Sequence, residues 1–137
     1  MKKGVNYGHL LNILTDCWPS SEYHRMFPLC KDFVVTDGVK NFVKEAEAQW
    51  LIDIVGSYIP KIAKIDDYFF KVNLKVNKEC NNDGLFRILH EVHFKMKCVV
   101  EQNIPYVDLP SGEYTFYLFK EGELGQGLHI MICPGEY

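Results

Sequence analysis

Apolar positions recur at helical spacing through the first half of the chain and at strand spacing through the second. Leu10, Leu11, Ile13, Leu14 and Cys17 form a stripe along residues 6–16, the pattern of a helix with one buried side. Trp18-Pro19 ends it, because the residue before a proline avoids the helical region. Ser20 and Ser21 then offer caps for a short second helix through Tyr23, His24 and Met26, which Pro28 stops. Phe33-Val34-Val35 reads as a brief extended stretch. From Thr36-Asp37-Gly38 onward, Val39, Phe42, Val43, Ala46, Trp50, Ile54, Val55 and Tyr58 return at three- and four-residue steps, with Lys40, Lys44, Glu45 and Glu47 opposite. This predicts one long helix over about residues 37–58. Thr36 or Asp37 would accept from its first free N–H groups, and Gly56-Ser57 and Pro60 would close it.

From Phe69 the period drops to two. Phe70, Val72, Leu74 and Val76 alternate with Lys71, Asn73, Lys75 and Asn77, the pattern of a half-buried strand. Asn81-Asn82-Asp83-Gly84 signals a turn, and residues 85–89 fit either a strand or one helical turn. Alternation returns with Val92, Phe94, Met96 and Cys98 facing in and His93, Lys95 and Lys97 facing out. Ile104-Pro105-Tyr106 and Leu109-Pro110 bracket another extended segment. Tyr114, Phe116 and Leu118 alternate toward a turn at Glu121-Gly122-Glu123, and Leu128, Ile130 and Ile132 make a last strand. The predicted fold is α+β, with N-terminal helices and one long helix packed on an antiparallel four- or five-stranded meander. Residues 1–137 are expected to form one domain, with 1–30 as a helical arm that packs on it or swaps between subunits.

A chain of 137 residues buries enough surface to fold without disulfides or metal. Its composition, 47% hydrophobic and 24% charged, argues against disorder. The net charge of −3 gives no general attraction to nucleic acid or to anionic membranes. Lys71, Lys75, Lys78, Arg87, Lys95 and Lys97 make the best candidate basic patch; their plainer reading is the solvated face of a sheet. The five cysteines are odd in number and widely spaced, with no CxxC pair, which reads as free thiols in a reducing compartment. Met1-Lys2-Lys3 starts like a leader, but Asn6, His9, Asn12 and Asp16 break the apolar run that follows. No stretch approaches the ~18–20 apolar residues of a membrane span. A cytoplasmic protein is expected, in the host cytoplasm if phage-encoded.

Candidate chemistry is sparse. His90-Glu91-Val92-His93 could bind a metal on a helix, where both rings share a face, but not on a strand, where they diverge. Asp53, Asp66 and Asp67, with Glu47 upstream, could gather carboxylates around a divalent ion; Asp66-Asp67 reads more simply as a turn into the strand. There is no G-x-S-x-G elbow, and Gly122, Gly125 and Gly127 are spaced like a hairpin tip rather than a phosphate loop. Neither a cofactor nor a resident metal is expected, and no catalytic set emerges. Eight tyrosines are the most suggestive feature, since each offers flat area and one polar tip. Tyr7, Tyr23, Tyr58, Tyr68, Tyr106 and Tyr137 lie at element ends and together would line a cleft between the helices and the sheet; Tyr7, Tyr23, Tyr58, Tyr106 and Tyr137, with Trp50, Asp53 and Lys95, are the candidate ligand-binding residues. The competing reading makes these tyrosines lids on the core.

Four motifs together resemble a family. They are Thr36-Asp37-Gly38, Trp50-Leu51-Ile52-Asp53, Tyr106 with Asp108 and Pro110, and the terminal Pro134-Gly135-Glu136-Tyr137. The family consists of short bacterial proteins often carried by phages, plasmids and other mobile elements, with no activity to carry over. The resemblance spans about residues 20–137; Val107 and Gly135 depart from its usual threonine and serine, and residues 80–103 follow it poorly. It implies a mobile-element setting. The leading expectation is a small non-enzymatic binding protein, acting in counter-defence by blocking a host defence protein or sequestering a nucleotide signal. A metal-assisted phosphoesterase or nuclease using Asp53, Asp66, Asp67, His90 or His93 is the first alternative. A homo-oligomeric structural protein, such as a homodimer, is the second.

Overall fold

The computed structural model describes residues 6–16, 22–77, 79, 83–121 and 127–137. Helix α1 spans Tyr7–Thr15, and the Asn6 side chain caps it by accepting from the His9 N–H at 2.9 Å. Two short strands follow, β1 (Tyr23–His24) and β2 (Phe33–Thr36), then helices α2 (Asp37–Ala46) and α3 (Gln49–Ile62). The remainder is β3 (Phe69–Asn77), β4 (Asp83–Val92), β5 (Lys95–Ile104), β6 (Gly112–Glu121) and β7 (Leu128–Ile132), closed by a single 3-10 turn at Pro134–Glu136. No helix among the described residues is long and apolar enough to cross a membrane.

The α+β class is as expected, but the long helix is two. Glu47 adopts a left-handed backbone (φ 52°), and Ala48 N–H returns to the Val43 carbonyl at 3.0 Å. The break re-phases the apolar stripe. The buried set of α2 is Val39, Phe42, Val43 and Ala46; that of α3 is Leu51, Ile52, Val55, Ile59 and Ile62. A continuous helix would have turned much of the second set away from the first. Trp50, Ile54 and Tyr58 are therefore only partly buried against the core. Helix α3 also runs past Gly56 and through Pro60 instead of ending near residue 58. Gly56 is there for packing: a Cβ on it would sit 2.4 Å from the Phe27 ring.

The second helix expected at Tyr23–Met26 is replaced by β1, which pairs antiparallel with β2 through Tyr23–Thr36 and His24–Val35. Ser20, Ser21 and the turn residues 81–82 and 122–126 lie outside the described residues. The ambiguous residues 85–89 are strand. The alternation read through residues 92–98 is really a hairpin: His93 and Phe94 form the reversal between β4 and β5, both at positive φ (51° and 66°). Phe94, Met96 and Cys98, expected to face in, are consequently exposed.

The sheet has seven strands in the order β1-β2-β7-β6-β3-β4-β5 and is mixed, since β2 and β7 run parallel. The expected meander holds only for β3, β4 and β5. β6 returns to the other edge of β3, and β7, β2 and β1 extend the sheet beyond it. Residue chemistry explains the placement. Both sides of β6 carry large apolar groups that need central neighbours, whereas β5 opens with exposed Lys95, Met96, Lys97 and Cys98 and suits an edge. The extended stretch read at Phe33-Val34-Val35 is β2, whereas β1 is too short for its period to register in the sequence.

Helical residues and one side of the sheet make the main core, which includes Phe70, Val72, Leu74, Phe86, Ile88, Tyr114, Phe116 and Leu118. Alternation sends the neighbouring residues to the opposite side. There a second apolar cluster forms from Val34, Ile130 and Ile132 with Tyr117, Phe119 and Leu128, and the described helices contribute nothing to it.

Candidate functional site

That second face is laid out by strand register. Phe69 sits opposite Phe119, which pairs with Ile130; Lys71 sits opposite Tyr117, which pairs with Ile132. Ring contacts knit this end together: Phe69 meets Tyr117 at 5.2 Å and Phe119 at 5.1 Å between centroids. Toward the other end the face turns polar through Asn73, Arg87, Glu101, Lys75 and Glu113. Asn73 is buried there and donates to Glu113 Oε1 at 2.7 Å and to Thr115 Oγ1 at 3.2 Å.

The C-terminal residues lie over the aromatic end. Tyr137 stacks on Phe119 (5.7 Å, 14°) and meets Phe69 and Tyr117 edge-on. It remains 76% exposed. What fixes this end is Glu136. Its Oε1 accepts from the Thr36 hydroxyl at 2.6 Å and from the Cys133 N–H at 3.0 Å, and its Oε2 accepts from the Gly38 N–H at 3.4 Å. The cap of α2 therefore comes from the C-terminus rather than from the Thr36 side chain, which makes no cap bond. A carboxylate is well placed at the positive end of a helix.

Two hollows flank the aromatic cluster. One, about 210 Å³, has Ile130 and Ile132 in its lining, with Tyr23, Phe119, Glu121 and Glu136. The other, about 480 Å³, lies at the β4–β5 hairpin end and is lined by Asp67, Tyr68, Phe69, Glu91, His93 and Phe94. Asp67 is well anchored: its Oδ1 accepts from the Tyr68 N–H at 2.7 Å, and its Oδ2 lies 3.0 Å from His90 Nδ1. A carboxylate only accepts, so that ring nitrogen carries the proton. His90 in turn stacks on Phe70 at 5.6 Å. On the core side, the buried Lys120 amine donates to the carbonyls of Ile62 (3.1 Å) and Ile65 (2.6 Å), where α3 ends. Burial lowers its pKa, an effect opposed by the charges of Asp67 and Asp66.

The expected site residues do not converge. Tyr7 is a lid: it packs edge-on to Tyr114 at 5.5 Å, and its hydroxyl donates to the Glu113 carbonyl. Tyr58 stacks on Phe86 and donates to Gln102 Oε1 at 2.7 Å. Trp50 packs against the core, and Asp53 is exposed on α3, accepting from Gln49 at 3.2 Å. Tyr106 is exposed in the turn after β5 at φ 56°, and Lys95 is exposed at the start of β5. Only Tyr23 and Tyr137 reach the open face. The proposed lysine patch divides as well: Lys71, Lys75 and Arg87 share the open face, Lys95 and Lys97 belong to the edge strand, and Lys78 lies outside the described residues.

Among the acidic and histidine residues weighed for catalysis, Asp67 and His93 line the larger hollow and His90 is bonded to Asp67 from the buried side, whereas Asp53 lies apart on α3. His90 and His93 do not share a face, since one is in β4 and the other in the turn beyond it. A different trio has metal-ligand spacing: ligand atoms of Glu22, His24 and Asp37 lie within 4.8 Å of one another. The His24–Asp37 pair is itself a 2.5 Å hydrogen bond.

Sequence reasoning left Phe69, Tyr117 and Phe119 out of the site and met Glu136 only as part of the terminal motif. The signal for the rings was present: Phe69, Tyr117 and Phe119 alternate with the core residues Phe70, Phe116 and Leu118, so both sides of β6 are apolar. The model of a family described as a family of unknown function (DUF6876) matches residues 9–137. No curated protein and no solved structure matches the chain.

Proposed function

We propose that this chain, which belongs to the DUF6876 family, is a binding protein that docks on a protein partner through the aromatic end of its open sheet face. The observation that carries this reading is Tyr137: its ring rests on Phe119, Phe69 and Tyr117 and is still 76% exposed. A ring held in place by other rings has already lost much of its freedom. Covering its outer side then buries apolar area at small entropic cost, the economy typical of aromatic anchors at interfaces. Tyr68 and Phe94, also exposed, continue the apolar surface around the hairpin end.

The hollows favour a protein over a nucleotide as the ligand. Glu121 and Glu136 line one, Asp67 and Glu91 the other. Carboxylates at those positions repel phosphate groups. An enzymatic role for Asp67 has less support, because its oxygens are already occupied by the Tyr68 and Phe69 amides and by His90. In the mobile-element setting that the resemblance implies, the partner is a host protein whose surface is blocked.

Site-specific photo-crosslinking tests the reading. A benzoylphenylalanine at Tyr137 should trap a discrete protein from host extract. The same group at Lys40, exposed on α2, should not. Equal trapping from both positions, or trapping from Lys40 alone, would reject the open face as the docking surface.

A further inference from the structure

The larger hollow has a chemistry of its own. Three rings, Tyr68, Phe69 and Phe94, two carboxylates, Asp67 and Glu91, and the His93 imidazole line about 480 Å³ at the hairpin end of the open face. We infer that this hollow receives a cationic segment of the protein partner, with an arginine side chain seated among the rings and paired to Glu91; the inference rests on the docking reading above.

Charge complementarity carries the argument first. Aromatic faces attract cations, and a guanidinium adds planar stacking and a fork of donors that matches a carboxylate. Rings beside carboxylates in one concavity are the lining that such a group needs, and the same lining disfavours an anionic ligand. Asp67 adds negative charge to the lining, with its orientation held by the Tyr68 and Phe69 amides and the His90 ring. The nearest buried cation, Lys120, is on the core side and already donates to carbonyls at the end of α3, so it does not fill the hollow.

The hairpin carries the argument second, and independently. A two-residue reversal with both residues at positive φ normally uses asparagine and glycine. Here it uses His93 (φ 51°) and Phe94 (φ 66°), side chains that resist that backbone. Phe94 gains nothing from the core, being 96% exposed. A strained turn that holds a bare phenylalanine at the rim of an acidic hollow gives no advantage to the isolated fold. It does give one to a surface that must present a ring to a ligand.

The test uses the whole protein, ¹⁵N-labelled, titrated with acetyl-Gly-Arg-Gly-amide and with the same peptide carrying citrulline, the neutral isostere of arginine. The arginine peptide should shift amides of residues 67–69 and 91–95 in a saturable way by about 10 mM, as expected for a single anchoring side chain. Citrulline should bind at least about fivefold more weakly, and Glu91→Gln and Phe94→Ala should each weaken the arginine peptide by a similar factor. The spectrum itself shows whether each variant is folded. Equal binding of the two peptides, shifts confined to other parts of the sheet, or no shifts at all would overturn the inference. Crosslinking from Tyr137 would be untouched by that outcome, so loss of the arginine site and loss of the docking face are separable results.

Discussion

The Glu136 carboxylate accepts the Thr36 hydroxyl at 2.6 Å across 100 residues of chain, and so ties the C-terminus to the point where β2 becomes α2. Two of the motifs that carry the family resemblance thus form one structural unit. The third residue of the first motif fits the same contact. A Cβ on Gly38 would lie 2.5 Å from Glu136 Oε1 and 3.2 Å from the Cys133 sulfur.

Glu136→Ala should therefore destabilise the fold by about 1.5–3 kcal/mol, the range for part-buried hydrogen bonds to a charged group. Thr36→Val should cost about 1 kcal/mol, and the double variant should cost less than the sum, because both remove the same bond. Urea denaturation at neutral pH measures all three. Additive losses would show that the two residues act separately. Gly38→Ala should also destabilise, since the added methyl pushes the carboxylate off its partners.

Gly56 offers a sharper contest between local and tertiary preference. Alanine is the better helix former by about 1 kcal/mol, so Gly56→Ala would stabilise an isolated α3. In the folded protein the new methyl would sit 2.4 Å from Phe27. A net loss of about 1–3 kcal/mol is expected, with the helix gain already subtracted. Restoring stability with Gly56→Ala plus Phe27→Leu would confirm that the contact is responsible.

How much of this was legible follows from which forces act locally. The stripes of α1, α2 and β3 come from side chains spaced along one segment, and they read directly. The break at Glu47 did not, because Trp50, Ile54 and Tyr58 mimic the continuation of a stripe that actually passes to Leu51, Ile52, Ile59 and Ile62, with Val55 shared by both. The β4–β5 reversal was hidden because His93 and Phe94 lack the turn chemistry that usually marks it. The parallel insertion of β7 beside β2 depends on pairing across nearly a hundred residues, which no local period reports. As for the site, Tyr23 and Tyr137 were found by residue type, whereas Glu136 was missed as a helix cap because its role depends on where the chain ends in space.

Two buried titratable groups sit side by side where β6 pairs with β7, Lys120 and His129. Neither ring nitrogen of His129 has a hydrogen-bond partner among the described residues. Burial lowers its pKa below the usual 6.5, and the Lys120 charge lowers it further. The carbonyls of Asp32 and Gly127 temper the shift without reaching hydrogen-bond geometry. A histidine with a depressed folded pKa binds its proton more readily when unfolded. Stability is thus held above pH 6.5 and lost as pH falls from there through the folded value. Between pH 7.5 and 5.5 the wild type should lose more stability than His129→Leu, by urea denaturation at each pH. Parallel losses in the two proteins would contradict this.

Lys120 runs in the same sense, in a window on the alkaline side. Its folded pKa is lowered by burial, so the unfolded chain holds the proton over the window below the ordinary lysine value of 10.5. Stability attributable to this residue should rise with pH through that window. The amine still caps α3, and Lys120→Met leaves the Ile62 and Ile65 carbonyls without their donor. That variant should lose about 1–3 kcal/mol at pH 7, and the gap to wild type should widen toward pH 10. A narrowing gap would mean that the charged form is favoured by the fold.

The hairpin allows stability and recognition to be set against each other. His93→Asn combined with Phe94→Gly gives the reversal the residues its backbone favours. Relief of two positive-φ side chains should stabilise the protein by about 1–2 kcal/mol, since Phe94 buries almost nothing in return. The same change removes a ring from the hollow, and arginine-peptide binding should fall at least about fivefold. Stabilisation with weakened binding would mean that the strain is kept for recognition. Stabilisation with binding unchanged would assign the hollow's affinity to Glu91, Asp67 and the two remaining rings, and would leave the turn without a functional reason. Destabilisation would show that His93 and Phe94 support the fold through contacts stronger than their exposure implies, and the case for a presented ring would fall with it.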